Sequence, residues 1–381
     1  MANTLTGLIQ YIYDSVDVIS RELVGMIPSV YINPKAEQAA KDQDISYDIV
    51  PDATAYDVTP ANTIPALDSS TVPAGTMKIN KVRGVKFHWT GEDEAAIGRD
   101  AKSGIQNNKI AQAFRTLCGE MENDLADLYA FASRAFGTAG TTPFATAGDF
   151  SDAAEVARIL KDNGAPSSEL RLVIDTAAGA KILGKQSQVH IVGGDDPLRR
   201  GVLLDIYGMQ IRESAKIKTH TKGTGAGYLL NNVAGYPIGS TAIAADTGTG
   251  TILAGDVLTN SQSGRDQNNK YVVGTALSGG SLALNKPGNR VAWVDNDTVA
   301  VGNSYAASMA FARSAIHLLT RLPKMPEGGD VADDVMVVQD PHSGIFFQIA
   351  LYRAYRSVLI EVAVAWGVKA AKSEHIALLL G

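Results

Sequence analysis

The sequence predicts a mixed α+β fold with an all-β segment set inside it. Three observations carry this expectation: an apolar stripe at helical spacing over residues 105–133, strand patterns at 76–89 and 358–366, and a run of short strands bounded by glycine over 219–303.

The chain has 381 residues, of which 45% are hydrophobic and 19% charged, so it is long enough for two or three domains with a sizeable core. Its net charge of −6 argues against phosphate neutralisation as a main activity. Cys118 is the sole cysteine, which excludes a disulfide framework and a cysteine zinc site and implies a reducing compartment. The first residues carry Asp14, Asp17 and Glu22, unlike a secretory signal, and Glu361 interrupts the most apolar stretch, so no membrane span is expected.

Leu8, Ile12, Val16, Ile19 and Leu23 recur at steps of four and three, predicting an amphipathic helix that ends near Gly25, with Pro28 just beyond. A polar stretch then leads to half-buried strands at 45–51 and 76–89, where Met77, Ile79, Val82, Val85, Phe87 and Trp89 carry the pattern. Between them, residues 51–75 contain Pro51, Pro60, Pro65 and Pro73, and are read as an extended two-stranded loop that needs a neighbour for stability. Over 105–133, Ile110, Phe114, Leu117, Met121, Leu125, Leu128 and Ala132 line one helical face. At roughly 1.5 Å per residue this strut is about 43 Å long. Glu120, Glu122, Asp124 and Asp127 fall between the stripe positions, so the opposite face is expected to be solvated or turned towards a partner.

Beyond the strut, Ser151 is expected to cap a short helix ended by Gly164 and Pro166, followed by a strand at 170–174, a helix at 176–183 and a strand pair turning near Gly208. The short runs in 219–303 suggest a small barrel or sandwich. Met309, Ala312, Ile316 and Leu319 then resume helical spacing, so the β segment reads as an insertion. Val358, Ile360, Val362, Val364 and Trp366 alternate and favour a strand near the end of the chain.

No catalytic, cofactor-binding or metal-ligating residue is assigned. Residues Gly179 to Lys185 have Gly-x4-Gly-Lys spacing, but Gln186 stands where a phosphate-binding loop needs Ser or Thr, and Lys181, Ile182 and Leu183 suit a short helix stopped by Gly184. Gly223 to Gly227 lacks a strand-turn-helix frame and reads as a loop opening the β segment. His88, His190, His220, His317, His342 and His375 have no metal-ligand spacing, and each is read as a surface or packing residue. Asp195 with Asp196 and Asp333 with Asp334 read as solvated turns, while Glu92, Asp93 and Glu94 suit the approach to a helix N-terminus. Cys118 reads as a small buried hydrophobe.

The order of these elements resembles the major capsid (coat) protein of short-tailed double-stranded DNA bacteriophages, the tailed-phage capsid fold with an inserted β-barrel domain. The residues carrying the resemblance are NTLTGLIQYIYDSVDVISRELVGMIPSV at the start, FHWTGEDE before the strut, GYLLNNVAGYPIG and TGTILAGDVLT in the β segment, and GIFFQIALYR with IEVAVAWGVKAAKSEHIALLL at the end. The resemblance implies a two-lobed α+β chain: an N-terminal arm (1–34), an extended β loop (35–91), a peripheral-lobe spine helix (92–136) and an axial lobe in two parts (137–218 and 304–344). The inserted β domain (219–303) and peripheral-lobe C-terminal strands (345–381) complete the division.

It further implies a non-enzymatic structural subunit, without cofactor or metal, that forms pentamers and hexamers of an icosahedral shell. The implied partners are other copies of itself, a scaffolding protein, a portal protein and a decoration protein. The shell encloses double-stranded DNA without sequence-specific binding or a membrane, is assembled in the bacterial cytoplasm, and forms the virion capsid. The chain opens directly with the arm, so a separate scaffolding protein is expected. Some relatives cross-link a lysine to an asparagine; Lys86 and Asn303 are of the right types, but no cross-link is expected in a short-tailed member. A cellular nanocompartment shell is the alternative of the same fold, and a nucleotide-binding enzyme using the Gly179 to Lys185 loop is a remote one.

Overall fold

The computed structural model describes residues 25–48, 58, 60, 74–93, 99–146, 149–186, 206–340 and 344–381. It is a mixed α+β chain dominated by strands. The predicted N-terminal helix, most of the 51–75 connection and the first strand of the pair near Gly208 lie outside the described residues.

The first strands are β1 (Tyr31–Ala39), β2 (Asp44–Asp48), β3 (Ala74–Lys78) and β4 (Lys81–Thr90). β1 falls in a polar stretch containing Pro34, where no strand was expected. Among the described residues it pairs on one side only, in parallel with β16 (Ile316–Pro323), and an edge tolerates proline because one row of amides need not join a ladder. β2 and β3 form a separate antiparallel ribbon.

The spine is α1 (Arg99–Ala126), which tightens into a 3-10 turn over Asp127–Phe131. All seven expected stripe residues are buried. They pack on a six-stranded sheet in which the 14-residue β19 (Ser357–Ala370) pairs with β4, with β16 and with β18 (Phe346–Ala354). The Phe114 and Phe347 rings meet edge to face at 5.0 Å. β17 (Asp334–Gln339) closes this sheet beyond β18.

The second sheet contains β5 (Arg134–Gly137), β6 (Leu170–Ile174), β7 (Met209–Glu213), β8 (Thr219–His220), β15 (Tyr305–Ala312) and β20 (Ile376–Leu380). One face packs on the α1 cluster. The other is covered by α2 (Ser151–Asp162) and α3 (Thr176–Gln186). Residues 345–381 are therefore divided between two sheets: β18 and β19 lie in the six-stranded one, whereas β20 runs between β5 and β15.

This double burial explains why the helix expected after residue 304 is instead two strands, β15 and β16. In β15, Met309 and Phe311 face the α1 cluster while Ala310 and Ala312 face the α2 cluster. A strand buried on both faces shows no polar alternation, and its apolar positions then mimic helical spacing. Two smaller corrections concern caps. Ser151 is the first residue of α2 rather than its cap, and donates its N–H and hydroxyl to the Asp149 carboxylate at 2.7 and 2.9 Å. Gly184 does not stop α3, which continues to Gln186.

Within 219–303 lie β9 (Tyr228–Leu230), β10 (Ala242–Asp246), β11 (Val257–Asn260), β12 (Lys270–Ser278), β13 (Ser281–Leu284) and β14 (Thr298–Val301). Their antiparallel pairings run β11-β14-β9-β10-β13-β12 and close through β11 with β12, giving a six-stranded barrel. Tyr228, Leu230, Leu258, Tyr271, Val273 and Trp293 are among the side chains that fill it. Closure removes free edges, which suits strands of only three to nine residues. The start of β12 also pairs with β5, so barrel and mixed sheet share one hydrogen-bonded path.

Candidate functional site

The acidic face of α1 and of the turn after it is solvated only in part. All four carboxylates have partners in distant parts of the same chain: Asp127 and Glu120 keep exposed surface, whereas Asp124 and Glu122 are drawn inward, which corrects the expectation for those two. Glu120 meets Arg83 Nε at 3.2 Å, and Asp127 meets Lys218 Nζ at 3.2 Å. Asp124 accepts from Lys81 Nζ at 2.7 Å and from the Trp366 indole N–H at 2.8 Å. Glu122 is completely buried.

Glu122 anchors the point where the described chain begins. Its Oε1 accepts the backbone N–H groups of Met26 at 2.8 Å and Ile27 at 3.1 Å, while its Oε2 accepts from Met26 N at 3.1 Å and from the Ser214 hydroxyl at 3.0 Å. Met26 and Ile27 open a 3-10 turn over Ile27–Ser29, whose free N–H groups need acceptors. Burial raises the Glu122 carboxyl to about 7, against the opposing pull of those hydrogen bonds. Gly25 completes the anchor: a Cβ there would stand 2.3 Å from the carbonyl oxygen of Glu213, so only glycine permits this approach. No residue spacing announces the anchor, because its members come from the start of the chain, α1 and the end of β7.

A second junction holds the barrel to the body. His220, at the end of β8, sets Nε2 2.8 Å from Asp256 Oδ1 and Nδ1 2.9 Å from the Tyr129 hydroxyl. Asp256 is buried and also accepts the N–H groups of Gly223 at 3.0 Å and Leu253 at 2.7 Å. The Tyr305 hydroxyl donates to the Gly255 carbonyl at 2.6 Å. The glycine run at 223–227 is thus a loop entering the barrel, fixed by a carboxylate. His220 is a packing residue with two polar partners. A lone histidine in the sequence could not identify them.

Gly179 to Lys185 lies within α3, where the Gly179 amide donates to the Asp175 carbonyl at 3.0 Å and is unavailable as part of an open phosphate cradle. Thr90 and Asp93 form a reciprocal cap, the Thr90 N–H reaching Asp93 Oδ2 and the Asp93 N–H reaching Thr90 Oγ1, each at 3.1 Å. Asp333 pairs with Arg353 at 2.6 Å. Among the described residues no group of three or more His, Cys, Asp or Glu side chains is placed to hold a metal, and no helix is long and apolar enough to cross a membrane.

The remaining distinctive surface is the β2–β3 ribbon. Its root is fixed: Met77 and Ile79 pack with Ala39, Leu319 and Ala365, Asn80 N donates to the Trp366 carbonyl at 3.0 Å, and Lys369 Nζ to the Thr76 carbonyl at 2.6 Å. A Cβ on Gly367 would lie 1.9 Å from the Lys78 carbonyl oxygen, so the ribbon root is pressed directly onto β19. Beyond the root, the two strands pair with each other and join no other sheet among the described residues.

No family model and no curated protein matches the sequence. Among solved structures, the chain is similar to one from Mycobacterium phage Che8, with 12% identity, a TM-score of 0.47, and 93% of this chain and 91% of that chain covered. It is similar to the capsid structure of the cyanophage P-SCSP1u at 11% identity and a TM-score of 0.49, covering 94% and 88%. A virus-like particle from Pyrococcus furiosus is similar at 9% identity and a TM-score of 0.44, covering 98% and 99%. At these values the likeness is one of chain course alone.

Proposed function

We propose that the chain is the structural subunit of an icosahedral bacteriophage shell, associating with identical copies as pentamers and hexamers around double-stranded DNA. The single observation that carries this reading is the β2–β3 ribbon. It is rooted firmly on β19 yet among the described residues forms a two-stranded sheet of its own, and a two-stranded ribbon without further partners is marginal in water. A neighbouring subunit that completes it makes the chain stable as a tile rather than as a monomer. The net charge of −6 suits a container that encloses DNA without gripping it.

In this reading α1 is the spine of a peripheral lobe whose six-stranded sheet takes β16 and β17 from residues 304–344, the sheet around β15 and β20 with α2 and α3 belongs to an axial lobe, and the barrel is an inserted domain. Scaffolding, portal and decoration proteins are the partners in assembly. Electron microscopy of the expressed chain, with and without a scaffolding protein, tests the proposal. Icosahedral or aberrant shells are expected. A monodisperse monomer under both conditions overturns it.

A further inference from the structure

We propose that Glu122 is a proton-operated latch on the Gly25–Val30 segment, closed while its carboxyl is neutral and loosened when it ionises. The inference is independent of the shell reading, because it concerns one chain's own contacts. Its basis is a carboxyl group with no exposed surface whose donors among the described residues are all neutral: the N–H group of Met26, shared between both oxygens, the N–H group of Ile27 and the Ser214 hydroxyl.

The groups packed around Glu122 do not compensate a negative charge. On α1, Cys118 is itself buried, and its thiol is pushed up to about 12 by burial, with Asp340 and Glu122 adding to the effect. At the end of β7, burial and then Asp175 raise the Glu213 carboxyl. Lys216 follows on the same loop; its stem comes within 3.8 Å of where a Cβ on Gly119 would lie, and it forms no ion pair with Glu122. Arg313 points its Nε at the Val30 carbonyl at 3.4 Å and pairs with Glu169 at 3.7 Å. Among the described residues no cation forms an ion pair with Glu122.

The neutral acid can keep the bonds that hold the segment, and it avoids the desolvation that opposes a buried charge. Oε1 remains the acceptor for Met26 and Ile27, while Oε2, which also receives the Met26 N–H at 3.1 Å, carries the proton and donates it to the Ser214 oxygen, an atom that already accepts the Lys216 N–H at 3.3 Å; the Ser214 hydroxyl then turns its own hydrogen away from Glu122. Ionisation removes the reversed bond and leaves a buried charge held only by neutral dipoles. Undocking Gly25–Val30 returns the carboxylate to water, where its ordinary value is 4.5 rather than about 7. The docked form therefore binds the extra proton. Docking is strongest below about pH 4.5, weakens as pH rises towards 7, and is constant above it.

Hydrogen exchange on the full chain between pH 4.5 and 8 reads the latch directly, as protection factors for the Met26 and Ile27 amides. The amide of Leu378, within the buried strand β20, serves as reference. Protection at Met26 and Ile27 is expected to fall by up to about tenfold per pH unit until Glu122 is ionised, then level off, while the Leu378 amide keeps its protection. Glu122→Gln retains a carbonyl acceptor and replaces the acid proton by an amide donor, so its protection should stay high and flat. Protection that is flat or rises with pH in the unmodified chain, or an identical fall in Glu122→Gln, overturns the proposal.

Discussion

His220 Nε2 lies 2.8 Å from Asp256 Oδ1 where the chain leaves β8 for the barrel, and this pair decides how the barrel is held to the body. Asp256 receives two backbone N–H groups as well, so one carboxylate fixes the loop at Gly223, the turn at Leu253 and the imidazole together. Removing it orphans several buried donors at once. Asp256→Ala should lower the free energy of unfolding by about 3–5 kcal/mol in denaturant titrations. A loss below about 1 kcal/mol would show that the junction contributes little.

The α1 stripe supports a prediction of another kind. Leu125 has no exposed surface, and its neighbours on the stripe, Met121 and Leu128, are also buried. Leu125→Asp places a charge there without a partner, which no local repacking relieves. Soluble subunit should disappear from the expressed fraction, and normal shell yield would contradict the buried face.

Two glycines should respond in opposite directions. Gly367→Ala drives a methyl group into the Lys78 carbonyl, a backbone atom that cannot rotate away, and should destabilise the chain by about 3 kcal/mol or more. Gly184 lies exposed inside α3 with no atom of the described residues within 4 Å of an added Cβ, so Gly184→Ala should stabilise by about 0.5–1 kcal/mol. Thermal melts of both variants measure the contrast.

Cys118 should be inert in the native state. Burial pushes its thiol up to about 12, so the thiolate needed for attack is scarce near neutral pH. A thiol-reactive chromogenic disulfide should leave the folded chain unlabelled and report one equivalent per chain after denaturation. Fast native labelling would mean that this part of α1 opens readily.

Denaturing electrophoresis of mature particles should give one band near 40 kDa, the mass of the single chain at 40.1 kDa. Asn303 Oδ1 accepts from Lys222 Nζ at 3.1 Å within the same chain, a hydrogen bond that denaturation removes. A ladder of covalent oligomers would contradict the expectation.

The α+β class, the buried stripe of α1, strands β6 and β19, and the short strands of the barrel were legible in the sequence because their signals are local. A stripe recurring every three or four residues, or alternation along a strand, records one face buried and one face wet. Where that contrast vanishes the sequence misleads. β15 is covered on both faces and imitates a helix, while β1 is a polar edge strand carrying Pro34 and imitates a loop.

The two junctions belong wholly to tertiary structure. Glu122 looked like one more acid on a solvated row, yet residues 96 and 92 positions away close over it. His220 looked isolated until Asp256 and Tyr129 came within hydrogen-bonding distance. Burial and partnership depend on which distant segments meet, and that is settled by the packing of sheets against α1 rather than by any neighbour in sequence. The sequence by itself determined which faces were apolar; only the folded chain decided which polar groups were enclosed between them.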